Sequence, residues 1–294
     1  MLARILVPTD GSDSATAALD HALDIASERE ATVHLLNVAD TNQPSLTRLG
    51  GDVVDVLEQE GTEIVSDGST AAEERGVSVV TNVVQGDPRS VISEYAIAED
   101  FDIVVMGAHG RRSLGEYVLG STTDHVVNRS EVPVLTVRAT DEGRQTYPYA
   151  DVLVPTDGSD HATAALELGT SVAKLTGARL HLLSVVDELP EVIDAESAEL
   201  PEQLEENVQE VLDAAKATAN EAGVEDVTTS VATGSMPREV TTYADQQGID
   251  LIVMGTHGHT GLDRHLLGSF TERVIQTSPV PVLTTRRSEV ADGD

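Results

Sequence analysis

The sequence contains no cysteine and no tryptophan, and only 2% of its residues are aromatic. Without cysteine the chain cannot form a disulfide, an iron–sulfur cluster, a thiolate zinc site or a cysteine nucleophile. No apolar run approaches the roughly 18 residues that a membrane-spanning helix requires. The chain starts directly with a strand-like segment and shows no targeting signal. These absences predict a soluble protein of the cytoplasm.

Positive charge is also scarce. The chain has 18 lysine and arginine residues against 51 aspartate and glutamate residues, and its formal net charge is -33. This charge repels nucleic-acid phosphate and argues against a DNA- or RNA-binding function. Excess carboxylates also destabilise a compact chain in dilute buffer, but at about 1 M salt the Debye length is only about 3 Å and the repulsion is screened. The composition therefore predicts a halophilic protein.

What the sequence does contain is an internal repeat. Two strings occur once in each copy: VPTDGSD at residues 7–13 and 154–160, and VPVLT at residues 132–136 and 280–284. The segment between the copies is polar, contains Gly143 and Pro148, and shows no periodicity, which is typical of a linker. We predict a first domain at residues 1–138, a linker at 139–150, a second domain at 151–287 and an acidic tail at 288–294.

Each copy alternates β-rich segments with segments of helical period. In the first copy the predicted strands are residues 5–8, 33–38, 77–84, 103–106 and 134–137. Several are apolar at consecutive positions, as expected of a parallel sheet covered by helices on both faces. After the first strand, apolar residues recur at i, i+3, i+4 and i+7 from Ala15 and again from Ala162. Five strands alternating with four helices predict two tandem, doubly wound α/β domains with five-stranded, Rossmann-like parallel sheets.

Ligands of such sheets bind beyond the carboxyl ends of the strands, so the loops there are the candidate sites. The fourth strand of each copy is followed by two glycines, nine further residues, and a glycine with a hydroxyl residue: Gly107, Gly110, Gly120 and Ser121, and Gly255, Gly258, Gly268 and Ser269. Glycine lets the backbone approach a ligand closely, and the N–H groups of such a loop and of the following helix N-terminus favour phosphate.

This spacing resembles the signature of nucleotide-binding universal stress proteins. The resemblance of the two copies to this family covers nearly the whole chain. The resemblance implies a sheet like that of adenine nucleotide alpha hydrolases, binding ATP with Mg²⁺. It implies that Asp10 and Asp157 contact the nucleoside, and that Val38 and Val185 hold the adenine edge through backbone groups. The full expected set is Pro8, Thr9, Asp10, Val38, Met106, Gly107, Gly110, Arg111, Gly120, Ser121, Thr122 and Thr123 in the first copy, and Pro155, Thr156, Asp157, Val185, Met254, Gly255, Gly258, Gly268, Ser269, Phe270 and Thr271 in the second.

Each of these residue types has a structural alternative. The glycines can simply shape loops, and Asp10 and Asp157 can cap the helix that follows them. Ser269 with Glu272, and less strictly Ser121 with Asp124, resemble capping boxes, although capping and phosphate contact are compatible. Met106 and Met254 are more typical of a core or pocket wall than of a chemical participant.

The two sites differ in sequence. Arg111 can reach a phosphate in the first copy, whereas His259 stands at that place in the second and would hold phosphate less well. His257, His259 and His265 suggest a metal site as an alternative, but His109 accompanies the first motif without such a cluster. We therefore interpret them as loop histidines and predict no metal site of protein ligands.

Catalytic motifs are not present. The sequence has no Gly-Lys pair of a Walker motif and no Gly-x-Ser-x-Gly nucleophile elbow. The favoured function is a stress-response protein, not an enzyme, that holds ATP with Mg²⁺ and signals by its occupancy to an unidentified downstream protein. The alternatives are an interaction scaffold that binds no nucleotide and a slow ATP hydrolase.

The final strands, residues 134–137 and 282–285, have a predicted role in association. In the family that this sequence resembles, the edge of this strand pairs with its equivalent in a dimer, and an uncovered apolar edge is an aggregation hazard. We expect the two copies to form an intramolecular pseudo-dimer, with a homodimer of chains as a further option. No nucleic-acid or membrane partner is expected.

Overall fold

The structure, a computed structural model, describes residues 2–41, 46–49, 52–110, 118–139, 145–186, 202–256 and 268–286. The chain divides between Pro148 and Tyr149 into two units. Among the described residues, none of the helices is both long enough and apolar enough to cross a membrane.

The first unit alternates strands and helices along the chain. Its elements are β1 (Arg4–Pro8), α1 (Asp13–Arg29), β2 (Thr32–Asp40), β3 (Leu46–Leu49), β4 (Asp52–Asp55), α2 (Val56–Glu74), β5 (Val79–Gly86), α3 (Pro88–Ala98), β6 (Ile103–Gly107), α4 (Ser121–Arg129) and β7 (Val134–Val137). Five strands pair in parallel in the order β7-β6-β1-β2-β5. The sheet order reverses at β1, so the carboxyl ends of β1 and β6 flank the point at which such folds bind ligands.

The second unit repeats this arrangement. Its elements are β8 (Asp151–Pro155), α5 (Asp160–Thr176), β9 (Arg179–Val186), α6 (Glu202–Glu221), β10 (Val227–Thr233), α7 (Met236–Gln247), β11 (Leu251–Gly255), α8 (Ser269–Thr277) and β12 (Val282–Thr285). All its strands pair in parallel, in the order β10-β9-β8-β11-β12. The predicted fold class, two tandem doubly wound α/β domains, is confirmed.

Two local features differ from the prediction. The hairpin of β3 and β4 pairs Leu46 with Asp55 and was not predicted, although the Gly-Gly dipeptide between these strands in the sequence is typical of hairpins. The strand predicted from residue 77 begins only at Val79. Val77 is unavailable to the sheet because its N–H still bonds the Ala72 carbonyl at the end of α2.

The core lies between the sheet of each unit and its helices. Ile5, Leu6 and Val7 of β1 and Val152, Leu153 and Val154 of β8 are fully buried, as expected of central strands covered on both faces. The predicted helix stripe also packs inward, because Ala15, Ala18, Leu19, Ala22, Ile25 and Ala26 of α1 are all buried. The core therefore fixes β1, β6 and α1, whose ends carry the candidate site.

A buried polar network lies at the opposite, amino-terminal end of the second sheet. His181 Nε2 lies 2.9 Å from Asp151 Oδ1, and His181 Nδ1 lies 3.1 Å from the Tyr243 hydroxyl. An ionised carboxylate only accepts, so His181 donates from Nε2 to Asp151, while Nδ1 bonds the Tyr243 hydroxyl. The Tyr243 oxygen in turn lies 3.2 Å from the Ser230 hydroxyl.

We expect Tyr243→Phe to lower the free energy of unfolding by about 1–3 kcal/mol, because it leaves the buried His181 without this partner. The matched control is Tyr95→Phe in the first unit. There the tyrosine oxygen accepts only a 3.1 Å bond from the half-buried Asn82 amide, so a smaller loss is expected. Denaturant unfolding measures both, and equal losses would contradict the importance of the histidine bond.

Candidate functional site

The chain leaves β1 through a tight loop that carries Asp10. Gly11 adopts a positive φ of 72°, and its N–H bonds the Thr9 hydroxyl at 3.2 Å. Asp10 Oδ1 accepts the Ser12 N–H at 3.0 Å, and Ser12 is the residue that caps α1 by accepting the Ala15 N–H. The alternative that Asp10 caps the helix is therefore wrong. The exposed carboxylate is fixed in orientation by the loop.

The second unit builds the same loop from its own residues. Asp157 Oδ1 accepts the Ser159 N–H at 2.9 Å, and Ser159 caps α5 by accepting the Ala162 N–H. Gly158 has a φ of 76°, matching Gly11. The helix-cap alternative is thus wrong for Asp157 as well.

Gly107, the last residue of β6, and Gly110 in the loop that follows lie where side chains would collide. A Cβ on Gly107 would lie 2.7 to 2.9 Å from Ser14 and the Ala15 nitrogen, at the start of α1. A Cβ on Gly110 would lie 2.6 Å from Asp10 Oδ2. The structure therefore brings the carboxylate after β1 against the glycine loop after β6. In the second unit, Gly255 packs in the same way against the His161 backbone.

The short helix α4 begins at the same edge without a side-chain cap among the described residues. Gly120 is its N-cap, held by a 2.9 Å bond from its N–H to the Ala108 carbonyl, and Ser121 is the first helical residue. Gly268 has the same role before α8. The capping-box predictions for Ser121 and Ser269 are therefore wrong. Both serines are exposed, and the first N–H groups of each helix have no partner within the helix.

Thr123 and Thr271 tie these helices to the sheet. The hydroxyl of Thr123 donates to the Gly107 carbonyl at 2.8 Å, and that of Thr271 donates to the Gly255 carbonyl at 2.8 Å. Both threonines are buried. Their hydroxyl protons are committed to the backbone, so they fix each helix N-terminus beside the glycine loop.

Val38, the residue expected to hold the adenine edge, directs its backbone groups toward the β1 side of β2. The Leu36 carbonyl accepts the Thr9 N–H at 2.9 Å, on the β1 side of β2. Alternate residues of a strand direct their backbone groups to the same side, so Val38 also faces the β1 side, where β1 has already ended. The bond from Thr156 to Leu183, 2.8 Å long, places Val185 in the same way beyond β8.

The remaining predicted residues of the described part of the chain lie at or near this edge and differ in burial. Pro8 and Pro155 are the last residues of β1 and β8, and Met106 and Met254 are buried in β6 and β11, as wall residues would be. Thr9 and Thr122 are half-buried, Thr156 is buried, and Phe270 is 40% exposed. Arg111, Gly258, His257, His259 and His265 lie outside the described residues. In the described part of the chain no group of three or more acidic or histidine side chains could hold a metal ion.

Two titratable groups lie in the first turns of α4. Burial raises the pKa of Asp124 above its ordinary value, and the nearby His125 partly counteracts this. Burial lowers the pKa of His125, and Arg129 and Arg89 lower it further. A lowered pKa favours the neutral imidazole of His125.

Ser14 and Asn37 contribute to the site although the sequence interpretation missed them. The Ser14 hydroxyl donates to the Val137 carbonyl at 3.1 Å behind Gly107, and Asn37 bonds the loop of Asp10. The only sequence signal was a polar residue within an otherwise apolar strand end or helix start. At the matching positions the second unit has His161 and Ser184.

Each unit is thus a doubly wound α/β domain with a candidate ligand-binding site at the carboxyl edge of its sheet. The sequence model of the universal stress protein family matches residues 1–138 and again residues 148–286. The chain belongs to the universal stress protein family, and it carries the family's domain twice.

Similar proteins agree with this assignment. A universal stress protein of Methanocaldococcus jannaschii is 39% identical over 138 residues, which is 46% of this chain and 81% of the relative. Another, from Methanothermobacter thermautotrophicus, is 36% identical over 143 residues, covering 47% of this chain and 97% of the relative. A crystal structure of a universal stress protein from Archaeoglobus fulgidus matches 97% of both chains with a TM-score of 0.71 at 24% identity. That similarity extends the fold over both domains.

Proposed function

We propose that each domain binds one adenine nucleotide, as ATP with Mg²⁺, and that the protein acts in the cytoplasmic stress response through the occupancy of these sites. One observation carries the proposal. At the carboxyl edge of the first sheet the Asp10 carboxylate, the tight Gly107–Gly110 loop and a helix N-terminus whose N-cap is Gly120 meet. The second sheet has the matching Asp157 loop, the packed Gly255 and a helix N-terminus whose N-cap is Gly268.

The nucleoside end of the ligand fits the side of β1 and β2. A carboxylate accepts hydrogen bonds from ribose hydroxyls, and the loops after β1 and β8 hold Asp10 and Asp157 in a fixed orientation. Backbone groups at Val38 and Val185 are suited to the donor and acceptor edge of adenine. Both domains therefore offer the same kinds of hydrogen-bonding groups to a nucleoside.

The phosphate end fits the glycine loop and the start of α4 or α8. A Cβ at Gly107 would strike the start of α1, and one at Gly110 would strike Asp10, so glycine at both positions lets this loop pack closely against α1 and the Asp10 carboxylate. N–H groups at a helix N-terminus bind phosphate, and the exposed hydroxyls of Ser121 and Ser269 add to them. Mg²⁺ would neutralise part of the phosphate charge, mainly through phosphate oxygens.

Binding rather than turnover is the proposed activity. Phosphoryl transfer needs an organised base and cationic groups on the developing charge. The described residues supply backbone amides and hydroxyls at the phosphate end, and burial, Arg129 and Arg89 lower the pKa of His125. ATP turnover that is abolished by Asp10→Ala and Asp157→Ala would support the slow-hydrolase alternative. The scaffold alternative would be supported if the protein binds no nucleotide at all.

The experiment that tests the proposal is to denature the purified protein and identify released nucleotide by mass spectrometry. Adenine nucleotide approaching two per chain supports both sites, and about one indicates one site alone. Absence of bound nucleotide, together with no uptake of added Mg·ATP in molar KCl, would reject nucleotide binding in favour of the scaffold.

We also propose that the two domains associate through their last strands. Within the first unit β7 pairs with β6, and within the second β12 pairs with β11. In each described unit this leaves an outer strand edge of apolar sequence, and such an edge is an aggregation hazard when it is not covered. If the two edges pair in a pseudo-dimer, NMR relaxation should show that the domains tumble together. Independent tumbling of the domains would reject this association.

Nucleotide affinity is expected to rise with salt. The net charge of -33 opposes an anionic ligand at low ionic strength, whereas near 1 M KCl the Debye length of about 3 Å screens this repulsion. Hydrogen bonds from the helix N–H groups act at contact and lose less. Calorimetric titration over rising KCl, with circular dichroism as the folding control, measures the effect. An affinity that falls while the fold is constant would show that net repulsion does not govern binding.

A further inference from the structure

Asn37 is a buried polar residue that no predicted ligand contact explains. It lies in β2 directly before Val38 and is only 6% exposed. Its side-chain amide Nδ2 donates to the Thr9 carbonyl at 2.8 Å. The side chain therefore links the end of β2 to the loop after β1, between two segments that the proposed nucleotide would contact.

The bonded carbonyl belongs to the peptide group that joins Thr9 to Asp10. Because a peptide group is planar, fixing the Thr9 carbonyl also fixes the direction of the Asp10 N–H. The Thr9 N–H is held on the other side by the Leu36 carbonyl at 2.9 Å. Asn37 thus determines how the chain enters Asp10, whose carboxylate lies beside Gly110.

Helix α2 holds Asn37 in this position. Gly61 of α2 is buried, and a Cβ there would overlap Asn37 Oδ1 and lie 3.1 Å from Val83 Cγ1. The missing side chain at Gly61 leaves the space that the Asn37 amide fills. This packing restricts the amide to the orientation that reaches the loop.

The second domain has a different arrangement at the same place. Ser184 matches Asn37 and is 5% exposed, while the bond from Thr156 to Leu183 keeps the strand register unchanged. A serine hydroxyl is one bond closer to the backbone than an asparagine amide nitrogen. The loop there instead packs through Gly158, where a Cβ would lie 3.1 Å from Val211 Cγ2.

We infer that Asn37 is a positioning residue of the first nucleotide site, which holds the Thr9–Asp10 peptide so that the Asp10 carboxylate is ready for the nucleoside. The inference rests on the proposed function. Asn37 acts through Asp10 and does not itself touch the ligand. The first site is therefore pre-organised by a bond for which Ser184 is too short, and it binds nucleotide more tightly than the second.

A double-mutant cycle in the full chain tests the coupling. Asn37→Ser introduces the residue that the second domain already carries, and Gly61→Ala displaces the amide without changing Asn37. Each is expected to weaken Mg·ATP binding at one of the two sites about tenfold, the effect of about one hydrogen bond. In the Asp10→Ala background each should have less than about a twofold effect, because the residue through which Asn37 acts is gone. Equal fold-losses of Mg·ATP affinity in the wild-type and Asp10→Ala backgrounds would overturn the inference.

Amide hydrogen exchange without nucleotide provides a second readout. Asn37→Ser should speed exchange of the Gly11 and Ser12 amides and leave those of Gly158 and Ser159 unchanged. The matched control Ser184→Ala should change neither pair. Unchanged exchange at Gly11 and Ser12 would overturn the inference even if affinity fell. If the wild-type chain takes up no Mg·ATP, the proposed function fails, and the exchange experiment alone decides whether Asn37 holds the loop.

Discussion

Replacing Gly110 with alanine is expected to weaken nucleotide binding at the first site about 10- to 100-fold, the cost of losing a hydrogen bond to a charged group. The new Cβ would lie 2.6 Å from Asp10 Oδ2, a distance that forces the carboxylate to move. The other carboxylate oxygen is already bonded to the Ser12 N–H, so the movement also disturbs the loop. Titration with Mg·ATP in molar KCl measures the loss.

The second site of the same chain is the internal control for Gly110→Ala. Its glycine loop is unchanged, so one of the two binding events should keep its wild-type affinity. Circular dichroism and the unfolding midpoint should also be unchanged, because Gly110 is a half-buried loop residue outside the core. Wild-type affinity at both sites would show that the Asp10 carboxylate does not contact the nucleotide.

Acid is expected to destabilise the first domain through His21. Burial in α1 lowers the pKa of His21 to about 4. Between pH 6.5 and 4 the unfolded chain therefore binds a proton at this residue that the folded chain does not bind, and stability falls as the pH falls. Between pH 7 and pH 4 this residue is expected to lower the free energy of unfolding by about 3 kcal/mol.

The variant His21→Leu isolates this contribution. Leucine stands at the matching position 168 of the second domain, so the fold is expected to accept it. The free energy of unfolding of the variant, measured by denaturant between pH 7 and pH 4 in molar KCl, should fall less steeply than that of the wild type. Parallel pH profiles would contradict the lowered pKa of the buried imidazole.

Sequence periodicity was sufficient to predict the architecture because the signals were strong and occurred twice. The consecutive apolar residues of β1 and β6 and the stripe of α1 correspond to buried positions, and the two repeated strings predicted two domains. The glycine spacing likewise led to the loop that the structure places against Asp10. These features depend on local pattern, which a single sequence contains.

The helix caps and the role of Asn37 were not predictable in this way. The Ser12 cap could not be distinguished from Asp10, because both residue types cap helices and they are two positions apart. Ser121 resembled a cap, but the bond from the Gly120 N–H to the Ala108 carbonyl starts the helix one residue earlier. Asn37 became interpretable only when the fold placed Thr9 and Gly61 on either side of it.

Calorimetric titration of the full chain with Mg·ATP in molar KCl, with and without Gly110→Ala, tests the nucleotide sites most directly. We expect two nucleotides per chain for the wild type, and only one at the wild-type affinity for the variant. No heat of binding in the wild type, or two unchanged sites in the variant, would contradict a nucleotide site built from Asp10 and the glycine loop.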